Sequence, residues 1–284
     1  MRMKIVVIIA TLATLVGLSD GAHVLLMAQG RGRGGRTTPQ DPKSKALFNW
    51  MWYMGMLRGV QEIDAVATLE LKGTGTVRVG TEQCRLTNYR ISINYQTPGM
   101  RVQYTCTTPD GQSHKAIEVV SGQFAWDDDM LGAGVVPGKG TATPKPGALN
   151  ERLIRLWSGP QGAPKAAVAG GEKTTVAVEG GKTVVTFPIP GVQGAIAKAT
   201  LSAMNQAEQV EVRQGNTVTA FTYEKYADYN PPDDKVDGFF AGHIVEKRDG
   251  ATIADLTVTE TEVGNLYVVM PVPESVRRAP ATPR

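Results

Sequence analysis

The sequence predicts a β-rich α+β protein, built as an antiparallel meander of short strands with an N-terminal helix and a mid-chain helix. Three observations carry this. Short runs alternate apolar and polar residues strictly, as in Tyr89-Arg90-Ile91-Ser92-Ile93-Asn94-Tyr95 and Met100-Arg101-Val102-Gln103-Tyr104-Thr105, the pattern of half-buried strands. Turn signals recur between the runs at Pro98-Gly99, Asp110-Gly111, Ser121-Gly122 and Asp249-Gly250, and such close spacing leaves no room for the long crossovers of a parallel sheet. Strong helical spacing of apolar residues is confined to 42–60 and 149–157.

The elements follow in chain order. Arg2 and Lys4 precede an uncharged apolar run over 5–18, which has the length of a secretory signal core and is short of the roughly 20 residues a spanning helix needs. Cleavage is expected after Ala28, giving a signal peptide over 1–28; Ser19-Asp20-Gly21 offers an alternative point, and an uncleaved anchor is the competing reading. No cysteine follows the run to carry a lipid. Residues 29–41, with Arg31-Gly32-Arg33-Gly34-Gly35-Arg36, read as a flexible spacer. The formal net charge of +3 is too small to imply a nucleic-acid partner.

Asp41-Pro42 opens a helix as N-cap acid and first-turn proline. Leu47, Trp50, Met51, Met54, Leu57 and Val60 follow at helical spacing, with Phe48, Trp52, Tyr53 and Met56 off that stripe. A helix apolar on more than one face is deeply buried or packs against two things at once. Strands are expected at 63–71, 76–79, 86–95, 100–106, 116–120 and 123–126, with Lys72-Gly73-Thr74-Gly75 separating the first two. Residues 127–147 read as a long Gly- and Pro-rich loop, 149–157 as an amphipathic helix ended by Pro160, and 163–169 as a weaker helical piece. Strands resume at 174–178, 183–187, 197–203, 209–214, 217–226, 239–247 and 253–259, and 274–284 reads as a disordered tail. One domain over 42–273 accommodates all of this.

Cys84 and Cys106 suit an oxidising compartment. A hairpin turning near Pro98-Gly99 sets residue 106 against residue 90, leaving Cys84 about 20 Å along the strand, beyond disulfide reach. A bridge then requires a break or bulge near Thr87-Asn88, so bonded and free cysteines both stay open.

Chemistry-bearing patterns are sparse. Of the three histidines, His23 falls in the signal, and neither His114 nor His243 has a second ligand at metal-binding spacing. There is no Gly-x-Ser-x-Gly elbow, Cys-x-x-Cys pair or phosphate loop. Asp127-Asp128-Asp129 reads as a solvated turn, and so does Asp233-Asp234-Lys235-Val236-Asp237-Gly238, where Lys235 occupies a position a calcium loop gives to an oxygen ligand. No catalytic residue, metal or cofactor is expected.

Tyr223-Glu224-Lys225-Tyr226-Ala227-Asp228-Tyr229, Val236-Asp237-Gly238-Phe239-Phe240, Ile244, Asp249-Gly250 and Asp255-Leu256-Thr257-Val258-Thr259 together resemble the late strands of periplasmic proteins with the LolA-like fold, the lipoprotein carriers and related lipid-binding proteins. The resemblance covers residues 223–261 directly and the rest through element order; Ala241 stands where that family usually has proline. It implies a single antiparallel, strongly curved sheet, an open half-barrel with both helices across its concave face and an apolar cavity beneath them. Trp50, Met54, Leu57, Leu153 and Trp157 are the expected lining. Two functions follow. One is a non-catalytic exported protein that holds a lipid or other hydrophobic ligand, is periplasmic or secreted, and meets the membrane only transiently. The other is a structural or interaction component of the cell envelope, whose edge strands meet a protein partner.

Overall fold

The computed structural model describes residues 41–58, 63–229 and 239–279. The signal, the spacer up to residue 40, Val60 and the Asp233–Gly238 stretch lie outside them.

Helix α1 (Pro42–Tyr53) starts as its cap dictates: the Asp41 carboxylate accepts the Ser44 amide at 2.9 Å. It stops well before residue 60. Gly55 takes φ +66°, a left-handed turn open chiefly to glycine, and the chain then forms a two-stranded ribbon, β1 (Leu57–Arg58) with β2 (Ile63–Asp64).

The remaining strands are β3 (Thr68–Val79), β4 (Glu82–Asn94), β5 (Gly99–Thr107), β6 (Ser113–Ser121), β7 (Phe124–Asp128), β8 (Ala142–Pro144), β9 (Thr175–Glu179), β10 (Lys182–Pro188), β11 (Ile196–Leu201), β12 (Ala207–Gln214), β13 (Thr217–Asp228), β14 (Phe239–Arg248) and β15 (Ala251–Val263). They form one antiparallel 13-stranded sheet in the order β8-β7-β6-β5-β4-β3-β15-β14-β13-β12-β11-β10-β9. It consists of two meanders joined where the first long strand meets the last. Helices α2 (Leu149–Ser158) and α3 (Gly162–Ala169) fall between the meanders in sequence, and α4 (Glu274–Arg277) follows them.

The sheet is open and curved. Helix α2 touches β5, β6, β7 and also β12. On a flat sheet β6 and β12, seven strand positions apart, would lie roughly 34 Å from each other, while a helix is only about 10 Å across. The sheet therefore wraps around α2, and the main core fills its concave side with residues from α1, α2, α3 and both meanders.

Three sequence expectations need correction. Lys72-Gly73-Thr74-Gly75 does not separate two strands; it lies inside β3, with a register shift against β4 between Lys72 and Thr76. The glycines let β3 approach β15: a Cβ on Gly75 would stand 2.0 Å from the Asp255 carbonyl oxygen, and one on Gly73 2.8 Å from that of Thr257. The loop at 127–147 contains β8, which pairs with β7. Residues 274–277 are helical, not disordered tail. After β15 the chain runs across the outer face of β3–β8, burying Val268, Met270 and Val276 against Ile117, Val119 and Trp126.

The β4–β5 register also differs from the expected hairpin. Arg90 faces Gln103, and Cys106 faces Leu86, with a bulge between Leu86 and Asn88. The bulge moves Cys84 one step nearer and, because side chains alternate, places it on the same face as Cys106. The two cysteines are bonded, with Cα atoms 5.5 Å apart and both side chains fully buried. Closing a loop with a sequence separation of 22 contributes about 3 kcal/mol by restricting the unfolded chain.

Candidate functional site

The concave face is organised around α2, which is tied to the sheet on both flanks. On one side the buried Arg152 donates to the carbonyls of Val119 (3.0 Å) and Trp126 (2.6 Å) and pairs with Asp127. On the other, Arg248 of β14 meets Glu151 at 2.7 Å, the Tyr223 hydroxyl donates to the Ser158 carbonyl at 2.6 Å, and the Gln161 amide donates to the Phe239 carbonyl at 2.7 Å.

Arg155 spans the middle. Its Nε and Nη2 grip Glu246 of β14 at 2.9 and 3.2 Å, its Nη1 approaches Glu118 of β6 at 3.4 Å, and Nη2 also approaches Glu151 at 3.5 Å. Burial works against its charge, but the surrounding carboxylates outweigh burial and hold the guanidinium protonated. Glu118 and Glu246 occupy inward positions on strands 37 and 91 residues from Arg155, so one side chain fastens the helix to both meanders.

A void of about 100 Å³ lies next to this network. Val77, Tyr89, Val102, Tyr104 and Ala254 line it from the sheet, and Glu118, Glu151, Arg155 and Glu246 close it. It is polar, and far below the roughly 300–1,000 Å³ of a ligand pocket for a drug-sized molecule.

Helix α1 is attached differently. It packs on α3 and β9, with Trp50 against the Phe187 ring at 6.3 Å and Trp50, Met51 and Met54 buried. Lys43 donates to the Gly171 carbonyl at 3.2 Å. On its other face Phe48 stacks on Trp52 at 5.9 Å, and Trp52 and Tyr53 are exposed. The Trp50 indole N–H is buried without a hydrogen-bond partner among the described residues, as are the Tyr95 hydroxyl, the Ser158 hydroxyl and the Gln161 side-chain oxygen. All four belong to or touch the helical layer; Tyr95 packs on Trp157 at 6.1 Å.

The five residues proposed from sequence as cavity lining fall in or against one apolar cluster. Trp50, Met54, Leu153 and Trp157 are buried in it, and Leu57 packs on its margin. None borders the polar void. Sequence reasoning passed over Arg155, Glu118 and Glu246. The signal for the two glutamates was their parity: Glu118 shares the face of Val120, and Glu246 that of Ile244.

The other singled-out residues have structural surroundings. The His243 ring nitrogens meet Asp255 at 2.8 Å and Glu224 at 3.2 Å, and these hydrogen bonds raise its pKa above the usual histidine value. That trio stands on an open sheet face away from the void. Asp127 pairs with Arg152 and Lys145, Asp128 accepts the Trp126 indole N–H at 2.8 Å, and Asp129 accepts the Thr141 amide at 2.8 Å. Burial pushes the Asp128 carboxyl up to about 6. Among the described residues no group of three or more His, Cys, Asp or Glu side chains is placed to hold a metal, and no helix is long and apolar enough to cross a membrane.

These features define a class: an open antiparallel half-barrel wound around a fixed central helix, with a second helix resting on apolar contacts. No protein-family model matches the chain, and no curated protein does. Among solved structures it is similar to an outer membrane lipoprotein-sorting protein domain from Vibrio parahaemolyticus, with 11% identity, covering 79% of this chain and 94% of that one at a TM-score of 0.44.

Proposed function

We propose that this is an exported, non-catalytic binding protein that takes a lipid or similar hydrophobic ligand beneath α1, against Trp50, Met54, Leu57, Leu153 and Trp157. The observation that carries the reading is the contrast between the two helices. Charged and backbone hydrogen bonds from both flanks fix α2, whereas α1 is held to α3, β9 and β10 by apolar side chains, with an exposed hydrogen bond from Lys43 to the Gly171 carbonyl beside them. The interface that can open is therefore apolar, and it already contains an unpartnered indole N–H.

Opening has a magnitude. Exposing Trp50, Met51 and Met54 costs about 6 kcal/mol at roughly 2 kcal/mol per side chain. A ligand offsets that by burying its own methylenes, about 0.8 kcal/mol each, so roughly eight or more are required. The expected result is saturable binding of the apolar dye N-phenylnaphthylamine, displaced by fatty acids of about 14–16 carbons and not by hexanoate. Equal displacement by short and long chains, or no dye binding, counts against the proposal.

The second reading, an envelope interaction protein without a ligand, draws on the filling of the concave face: Trp50, Met54, Leu156 and Phe187 are fully enclosed. On that reading the sheet edges β8 and β9 meet a protein partner, and a complex recovered from envelope extract without lipid favours it.

A further inference from the structure

The polar void under α2 has a construction that an apolar ligand does not use. In the β4–β5 ladder Tyr89 and Tyr104 are direct cross-strand partners, and on β6 Glu118 faces Val102. The register thus sets two phenol rings and a carboxylate side by side on the concave face, with Arg155 of α2 beyond them. Tyr89 is 5% exposed. It sits within electrostatic reach of Glu118, Glu246 and Arg155.

The charges bordering the void are unequally committed. Glu246 is gripped by two nitrogens of Arg155, and Glu151 by Arg248 at 2.7 Å from outside the void. Glu118 has a single approach, Arg155 Nη1 at 3.4 Å, and its side chain is 27% exposed. Arg78, whose Nε donates to the Gly80 carbonyl, stands with Ile253 at the half-exposed border. The site therefore offers an under-committed carboxylate and two phenol side chains, beside the paired Arg155 guanidinium and Arg78, in a space for a few heavy atoms. Aromatic faces beside a carboxylate attract a cation through the ring quadrupoles and the charge together.

We propose that the void is a binding site for a small organic cation, an ammonium or methylated ammonium group, held by Glu118 and by the Tyr89 and Tyr104 rings. The same chemistry is presented by a free amine and by a lipid headgroup. The site is separate from the interface beneath α1, so it stands whether or not an acyl chain binds there.

The test is isothermal titration of the full-length processed protein with methylammonium, tetramethylammonium and choline chlorides, with sodium chloride and sodium acetate as controls. The expected result is saturable binding of at least one ammonium, with a dissociation constant on the order of 0.1–1 mM, and none of acetate. Glu118→Gln is expected to weaken it roughly tenfold or more, the factor equivalent to about 1.4 kcal/mol. Tyr104→Leu, which leaves the Arg155 ion pairs in place, gives a second check, and circular dichroism reports whether each variant is folded. Dihexanoylphosphatidylcholine distinguishes the sources: tighter binding than choline, still sensitive to Glu118→Gln, identifies a headgroup, and equal or weaker binding a free solute. Absence of binding by all three ammonium ions, binding of acetate instead, or ammonium binding unchanged in both folded variants overturns the proposal.

Discussion

Replacing Arg155 with alanine is expected to destabilise the protein by about 3–5 kcal/mol, the range for breaking a buried ion pair from one side. The cost arises at Glu246, whose side chain is 5% exposed and which would lose both of its short contacts. Arg248, at 3.8 Å, is too far to replace them without rearrangement. The double substitution Arg155→Met with Glu246→Met is expected to recover most of the loss, because two apolar side chains of similar length leave no unpaired charge. Urea unfolding of the wild type, the two single variants and the double variant separates these outcomes. A loss below about 1 kcal/mol for Arg155→Ala would mean that the Arg155 ion pairs contribute little to holding α2 on the sheet.

Ending the chain after Gly264 is expected to have the other large effect. It removes Val268, Met270 and Val276 from the outer face and uncovers Ile117, Val119 and Trp126. At roughly 1.5–3 kcal/mol per side chain the three lost residues contribute about 5 kcal/mol or more, comparable to the whole stability of a typical domain. Polar ties go with them. Asn265 donates to Glu70 at 2.7 Å, Thr68 donates to the Asn265 carbonyl at 3.0 Å, and Asn94 donates to the Val268 carbonyl at 2.8 Å. Burial alone would raise the Glu70 pKa, but hydrogen bonds from Ser92, Asn265 and Arg90 outweigh it and hold the carboxyl below its usual value. That part of the stability is present above the ordinary glutamate pKa and fades as pH falls through the lowered one. The truncated protein is expected to unfold at much lower urea concentration, and an unchanged midpoint would show the segment to be dispensable.

The apolar parity of the strands was legible, and so was α2, because alternation and helical spacing follow directly from which face is buried. The bulge that allows the disulfide also left a trace. Buried residues run Cys84, Leu86 and then Tyr89, Ile91, Ile93, so the period of two slips by one residue where the ladder shifts. Other features depend on contacts far apart in sequence. Gly73 and Gly75 read as turn residues, and only the approach of β15 shows why a strand carries them. Residues 265–276 are rich in proline and short of strict alternation, so their burial follows from the outer face they cover. At the site, Leu153 and Trp157 could be chosen for hydrophobicity, but Arg155 on the same helix looks like any solvated arginine until Glu118 and Glu246 are brought to it by the sheet's curvature.

The central claim, an apolar ligand beneath α1, is tested most directly by native mass spectrometry of the protein purified without detergent. The expected result is a population carrying an extra mass of acyl-lipid size, released by organic solvent and diminished by Leu153→Arg in a variant that remains folded. Bare protein mass alone, together with α1 amides as slow to exchange as those of α2, would contradict it.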